Sequence, residues 1–171
     1  MIADLICNLL DTEYSYYKKL GAEKKPELPE PFTASRYEDA QRFQNYSCSP
    51  VMEGFEPDTH AAEQWSDPFK GGWIAHKQGS CIKFNVSGSI IMLQYRKTIN
   101  KPAPVAYAVI DGDRQNKVLL DANFDEDWGD LCCLEEIYSG AKGEHTVEIV
   151  IDTEGKENSD FMLISVITAN K

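Results

Sequence analysis

Three tryptophans and one histidine are the residues whose side chains could bind a ligand. An indole face stacks on the apolar face of a sugar ring, and aromatic residues in loops at one end of a β-sandwich build many sugar sites. Trp65 and Trp128 lie in polar loop sequences and are the stronger candidates. Trp73 directly precedes a strand and is better interpreted as a core anchor. His76 follows three residues later and either lines a pocket or is an ordinary strand histidine.

No pattern for covalent or metal catalysis accompanies these residues. A serine hydrolase needs a nucleophile and a base, but the sequence contains no Gly-x-Ser-x-Gly elbow, and Gly79-Ser80 reads as a turn. The histidines His60, His76 and His145 are too scattered for a metal pair. The acidic run at 125–127 lacks the spacing of a calcium loop. We therefore expect no catalytic residue, no metal and no cofactor in this chain.

Composition restricts the class of partner. The chain has 171 residues and a net charge of −11, which repels phosphate backbones and anionic lipid surfaces. Neither nucleic acid nor membrane is an expected partner. The five cysteines form no CxxC pair and indicate reduced thiols in a cytoplasmic protein. The first ten residues are apolar, yet they lack the basic region and the cleavage site of a signal peptide.

The elements that must hold the candidate residues fall into three parts. Residues 1–20 predict a short helix that is apolar around most of its circumference. We therefore expect this helix to be buried on more than one side. Residues 21–32 contain three prolines and predict an extended linker. Residues 33–171 predict short strands separated by turns, with Gly88-Ser89, 111–113 and 140–144 among the turn signals. The pattern favours an all-β, antiparallel β-sandwich of the jelly-roll type with a short N-terminal helix.

Four phrases carry a resemblance to a known family. They are Gly72-Trp73, the stretch 79–88, the stretch 108–112 ending in Asp111-Gly112, and the stretch 143–149 that contains His145. In this order they resemble the galactose-binding-like jelly-roll domain attached to SGNH (GDSL-type) esterases, such as the accessory β-domain of carbohydrate esterase family 2. Residues 2–6 resemble the last helix of an SGNH catalytic domain.

The resemblance implies a non-catalytic accessory domain that binds carbohydrate or an acylated sugar, with an SGNH catalytic domain in the same polypeptide. In that family the catalytic serine lies in a Gly-Asp-Ser block, which is missing here, and the catalytic histidine comes three residues after an aspartate. The positions three before the histidines here are instead Pro57, Trp73 and Lys142. No catalytic residue carries over, so an esterase activity of this chain alone is disfavoured. The alternative is a structural domain that packs on the catalytic domain or forms a homodimer.

Overall fold

The computed structural model describes residues 2–19, 35–37, 39–60, 67–157 and 159–170. The chain divides into two compact units, residues 1–34 and residues 35–171. The predicted linker at 21–32 lies outside the described residues.

The first unit contains one helix, α1 (Ile2–Lys19). Asp4 in its first turn and Lys18 and Lys19 in its last turn complement the helix dipole. The helix leaves large apolar side chains exposed, namely Leu5, Ile6, Leu9, Leu10, Tyr14 and Tyr16. None of the described helices has the length and apolar character needed to span a membrane.

The second unit is built from antiparallel strands, which confirms the predicted fold class. The strands are β1 (Gln41–Phe43), β2 (Val51–Glu53), β3 (Phe55–Pro57), β4 (Trp73–Ala75), β5 (Cys81–Lys97), β6 (Val105–Ile110), β7 (Val118–Asp121), β8 (Leu131–Thr153) and β9 (Phe161–Ala169). A short 3-10 turn at Arg114–Asn116 lies between β6 and β7.

Two long strands, β5 and β8, belong to both layers of the sandwich. They pair along their whole length, with Cys81 opposite Val150 and Lys97 opposite Leu131. The first half of β5 and the second half of β8 form one layer with β2, β6 and β7. The other two halves form the second layer with β9, β4, β3 and β1. One core of side chains from both layers lies between them.

The predicted turns at Gly88-Ser89 and at 140–144 are not hairpin turns. Both lie inside continuous strands, at the point where β5 and β8 pass from one layer to the other. Gly88 is opposite Gly143, and the register shifts between Gly88 and Ile90. A Cβ on Gly88 would lie 3.1 Å from the carbonyl oxygens of Ala169 and Ile90. Glycine therefore permits a close-packed bend here, and a bend and a turn leave the same sequence signal.

Two of the phrases that carry the family resemblance meet at this bent end. The carboxylate of Asp111 accepts hydrogen bonds from Nδ1 of His145 at 2.7 Å and from the backbone N of Thr146 at 2.8 Å. The backbone N of Asp111 donates to the carbonyl of Thr146 at 2.9 Å. The hydrogen bond from His145, followed by that from Thr146, lowers the pKa of Asp111. The phrases therefore form a structural brace between β6 and β8.

We predict that Asp111→Asn lowers the free energy of unfolding by about 1 to 2 kcal/mol at neutral pH, because the charged acceptor of two hydrogen bonds is lost. The folded-state pKa of Asp111 is depressed, so its contribution is complete above the ordinary carboxyl pKa of about 3.9. That contribution is lost as the pH falls through the lower folded value. Urea unfolding of both proteins at several pH values measures this effect. Asp152→Asn, at an exposed position, serves as control. If the difference in unfolding free energy between the wild type and Asp111→Asn stays the same as the pH is lowered into the acid range, the brace is contradicted.

Candidate functional site

Four connecting segments gather at the end of the sandwich opposite the bend. Because β5 and β8 fold back, their first and last residues lie at one end. Hydrogen bonds join the segments, among them Gln78 N to Glu154 Oε1 at 3.0 Å, Ala103 N to Asn123 Oδ1 at 2.9 Å, and Lys156 N to Pro102 O at 2.8 Å. We call this surface the loop end. It comprises residues 76–80, 98–104, 122–130 and the described residues of 154–160.

Trp128 is the exposed aromatic residue of the loop end. Its side chain is 64% exposed, and its ring meets that of Phe124 edge to face, with centroids 5.0 Å apart and planes at 85°. The backbone N of Phe124 donates to the carbonyl of Thr98 at 3.0 Å, and Asp125 pairs with Lys101. These contacts anchor the start of the segment to the neighbouring residues 98–101. They hold the indole as a platform of the kind that stacks on a sugar ring.

Of the other two predicted tryptophans, the structure describes Trp73, which does not contribute to this platform. Trp73 is 1% exposed and packs edge to face on Phe84 at 5.0 Å, in the core between the layers. The expectation that Trp73 contacts a ligand is therefore wrong, because β4 is paired on both sides and the indole of Trp73 faces the core. The alternative interpretation, that Trp73 is a core anchor, agrees with its buried position. Trp65 lies outside the described residues.

His76 lies at the loop end, just after β4 ends at Ala75. Its side chain is 52% exposed. Nδ1 lies 2.6 Å from Oδ1 of Asp160, and Nε2 lies 3.4 Å from Oε1 of Glu56. The hydrogen bond to Asp160 raises the pKa of His76; partial burial opposes the rise, and the bond to Glu56 adds to it. His76 thus links β3, the end of β4 and the segment before β9.

A cavity of about 420 Å³ adjoins His76. The prediction that His76 could line a pocket agrees with this placement. The wall opposite comes from the segment between β8 and β9, which the sequence indicated only as a polar turn. No signal in the sequence pairs that turn with His76, because the two are far apart along the chain. The lining residues are His76, Glu154, Gly155, Lys156, Glu157, Ser159 and Asp160.

A serine, a histidine and an aspartate line this cavity, yet they do not form a catalytic triad. In a triad the imidazole nitrogen remote from the aspartate accepts the serine proton. Here Nε2 of His76 faces Glu56, and Oγ of Ser159 is buried without a hydrogen-bond partner among the described residues. The nucleophile and base are therefore not coupled. Within the part of the chain that the structure describes, no cluster of three or more His, Cys, Asp or Glu could hold a metal ion.

Comparison with solved structures shows which proteins are similar to this chain. A two-domain esterase (CEX) active on acetylated mannans, co-crystallised with mannopentaose, is 39% identical with a TM-score of 0.77. The match covers 96% of this chain and 46% of that one. A second structure described as the two-domain esterase (CEX) gives 37% identity, 96% and 47% coverage and a TM-score of 0.77. The resemblance to esterase β-sandwich domains is confirmed.

A more distant structure shows the same fold. The family two carbohydrate esterase from Cellvibrio japonicus is 15% identical over 77% of this chain and 34% of its own, with a TM-score of 0.54. This chain spans less than half of the length of the two-domain esterase that it matches. No protein-family model and no curated protein sequence matches it.

We predict that Trp128→Phe removes most of the tryptophan emission that acrylamide quenches efficiently, apart from any contribution of Trp65, because Trp73 is shielded in the core. Stern–Volmer titration of the wild type and the variant measures the change. Phe124→Leu is the matched control, since it alters the neighbour and keeps the indole. An unchanged quenching constant in Trp128→Phe would show that this indole is not exposed.

We predict that the imidazole of His76 titrates above the ordinary histidine pKa of about 6.5, and that Asp160→Asn lowers its midpoint. The charged hydrogen-bond acceptor Asp160 favours the protonated ring. Histidine NMR titration measures both values, and Asp152→Asn is the control. The stabilising effect of the His76–Asp160 pair is complete below the unfolded pKa and is lost as the pH rises through the folded one. An unshifted midpoint would contradict the pair.

Proposed function

We propose that this chain is the non-catalytic, carbohydrate-binding or substrate-positioning part of an SGNH (GDSL-type) esterase that acts on acylated sugars. The observation that carries the proposal is the 39% identity over 96% of the chain to one part of an esterase active on acetylated mannans. Acetylated mannan is therefore the first substrate class to test.

The loop end has the chemistry that this function needs. Trp128 offers an exposed, anchored indole face, and a neutral polysaccharide has apolar sugar faces to stack on it. The net charge of −11 does not repel a neutral sugar polymer, whereas it would repel a nucleic acid. Stacking on one aromatic ring gives weak affinity, which suits a domain that holds a polymer near an active site and then releases it.

The chemistry of ester cleavage would belong to another domain of the same polypeptide. The serine and histidine that line the cavity, Ser159 and His76, are not hydrogen-bonded to each other. The exposed apolar side chains of α1 support an attached domain as well. Leu5 and Leu9 recur at helical spacing, as do Ile6 and Leu10, and form a surface that another domain would cover.

A structural role is the second candidate. The same exposed residues of α1 favour a unit that packs on the catalytic domain or forms a homodimer and has no ligand of its own. The two roles differ at Trp128, since packing through α1 requires nothing of the loop end.

We predict that mannopentaose binds the chain and that Trp128→Ala weakens the binding about tenfold, which corresponds to about 1.4 kcal/mol of lost stacking. Isothermal titration with acetylated and unacetylated manno-oligosaccharides measures it. Tyr46→Ala is the matched control, because Tyr46 is an exposed aromatic residue outside the loop end. Absence of heat with manno-, xylo- and cello-oligosaccharides would contradict the binding role, and sedimentation would then test for a dimer.

A further inference from the structure

We propose that the cavity beside His76 is a second saccharide subsite, one that recognises hydroxyl groups and continues the surface begun by Trp128. This inference rests on the proposed function and assigns to the cavity a ligand class, a neutral mannosyl unit. Four observations support it: the construction of the cavity wall, an unpaired hydroxyl in that wall, the polarity of the lining, and a side-chain link to the Trp128 segment.

The wall of the cavity is a packed structure. The backbone N of Lys156 donates to the carbonyl of Pro102 at 2.8 Å, and the backbone N of Ser159 donates to the carbonyl of Lys156 at 2.9 Å. A Cβ on Gly155 would lie 2.8 Å from Cδ of Pro104 and 2.8 Å from Cβ of Ser159. Close packing therefore fixes this segment against the neighbouring loop. A preformed wall reduces the entropy that ligand binding would cost.

Ser159 carries an unused hydrogen-bonding group in this wall. The residue is 8% exposed, and its Oγ has no partner among the described residues. Buried hydroxyls in folded proteins nearly always have a partner, so an unpaired one calls for an explanation. A rotation of the Ser159 side chain would present the hydroxyl to the cavity, where a sugar hydroxyl would pair with it.

The other lining groups select the type of ligand. The carboxylates of Asp160 and Glu157 accept hydrogen bonds from hydroxyls, and the ammonium of Lys156 donates them. None of the described residues that line the cavity is a Phe, Tyr or Trp, so a sugar would bind here by its hydroxyl edge rather than by its face. Three carboxylates against one lysine and His76 disfavour an anionic ligand. A neutral polyhydroxylated ring fits this set.

Arg96 joins the cavity to the aromatic platform. Its Nη2 donates to the carbonyl of Asp160 at 3.4 Å, and its Nε lies 3.8 Å from Oδ2 of Asp130. Asp160 lines the cavity, and Asp130 lies two residues after Trp128. The two subsites therefore share one supporting side chain at the same end of the sandwich. A chain that stacks on Trp128 would continue into the cavity.

The test compares mannopentaose with mannobiose on the 171-residue chain by isothermal titration. We expect Ser159→Ala and Lys156→Ala each to weaken mannopentaose binding about fivefold and to leave mannobiose binding unchanged. Ser87→Ala, an exposed serine of β5 near the bend, is the matched control and should bind as the wild type does. Thermal unfolding separates binding from folding, because removal of an unpaired buried hydroxyl should leave the melting temperature unchanged or raise it.

The outcomes separate this inference from the proposed function. If Trp128→Ala weakens mannopentaose binding while Ser159→Ala and Lys156→Ala bind as the wild type does, the subsite is overturned and the proposed function stands. If neither the wild type nor any variant binds either sugar, both the subsite and the proposed function are overturned. If mannopentaose binding disappears when EDTA is added, a cation mediates it, and direct hydroxyl recognition by the cavity is overturned.

Discussion

The pairing of β5 with β8 is the constraint on which the rest of the structure depends. Both strands pass from one layer to the other while they remain paired, and facing Gly88 and Gly143 lie at the bend. A strand pair that folds over on itself closes one core between its two halves. The same fold brings both ends of β5 and β8 to one end of the sandwich, which is why four connecting segments meet at the loop end.

The two ends of the sandwich consequently differ in the residues that they carry. The bent end carries the brace between Asp111 and His145, where the recognisable sequence phrases serve backbone geometry. The loop end carries Trp128 and the cavity beside His76, formed by segments with little sequence signature. The phrases that carry the resemblance therefore mark the fold, whereas the candidate ligand-binding residues lie in connecting segments that can vary without disturbing the pairing.

The cavity illustrates how residue types alone do not make a reaction. Ser159, His76 and Asp160 are the three side chains of a hydrolase triad, but His76 is held between two carboxylates and is not coupled to Ser159. An imidazole in this position serves as a linker between segments, with its protonated form favoured by Asp160. The same groups suit hydrogen bonding to a neutral sugar, which requires donors and acceptors but no proton transfer.

The sequence by itself determined the all-β class, the N-terminal helix and the relationship to esterase domains, because strand periodicity and the phrases around Asp111 and His145 are local signals. It also indicated Trp128, since a tryptophan in a polar loop is exposed more often than one beside a strand. Only the tertiary structure decided that Gly88 and Gly143 bend continuous strands, because a bend and a turn need the same backbone freedom. Only it brought Ser159 and Asp160 to His76, since those contacts depend on how distant segments pack.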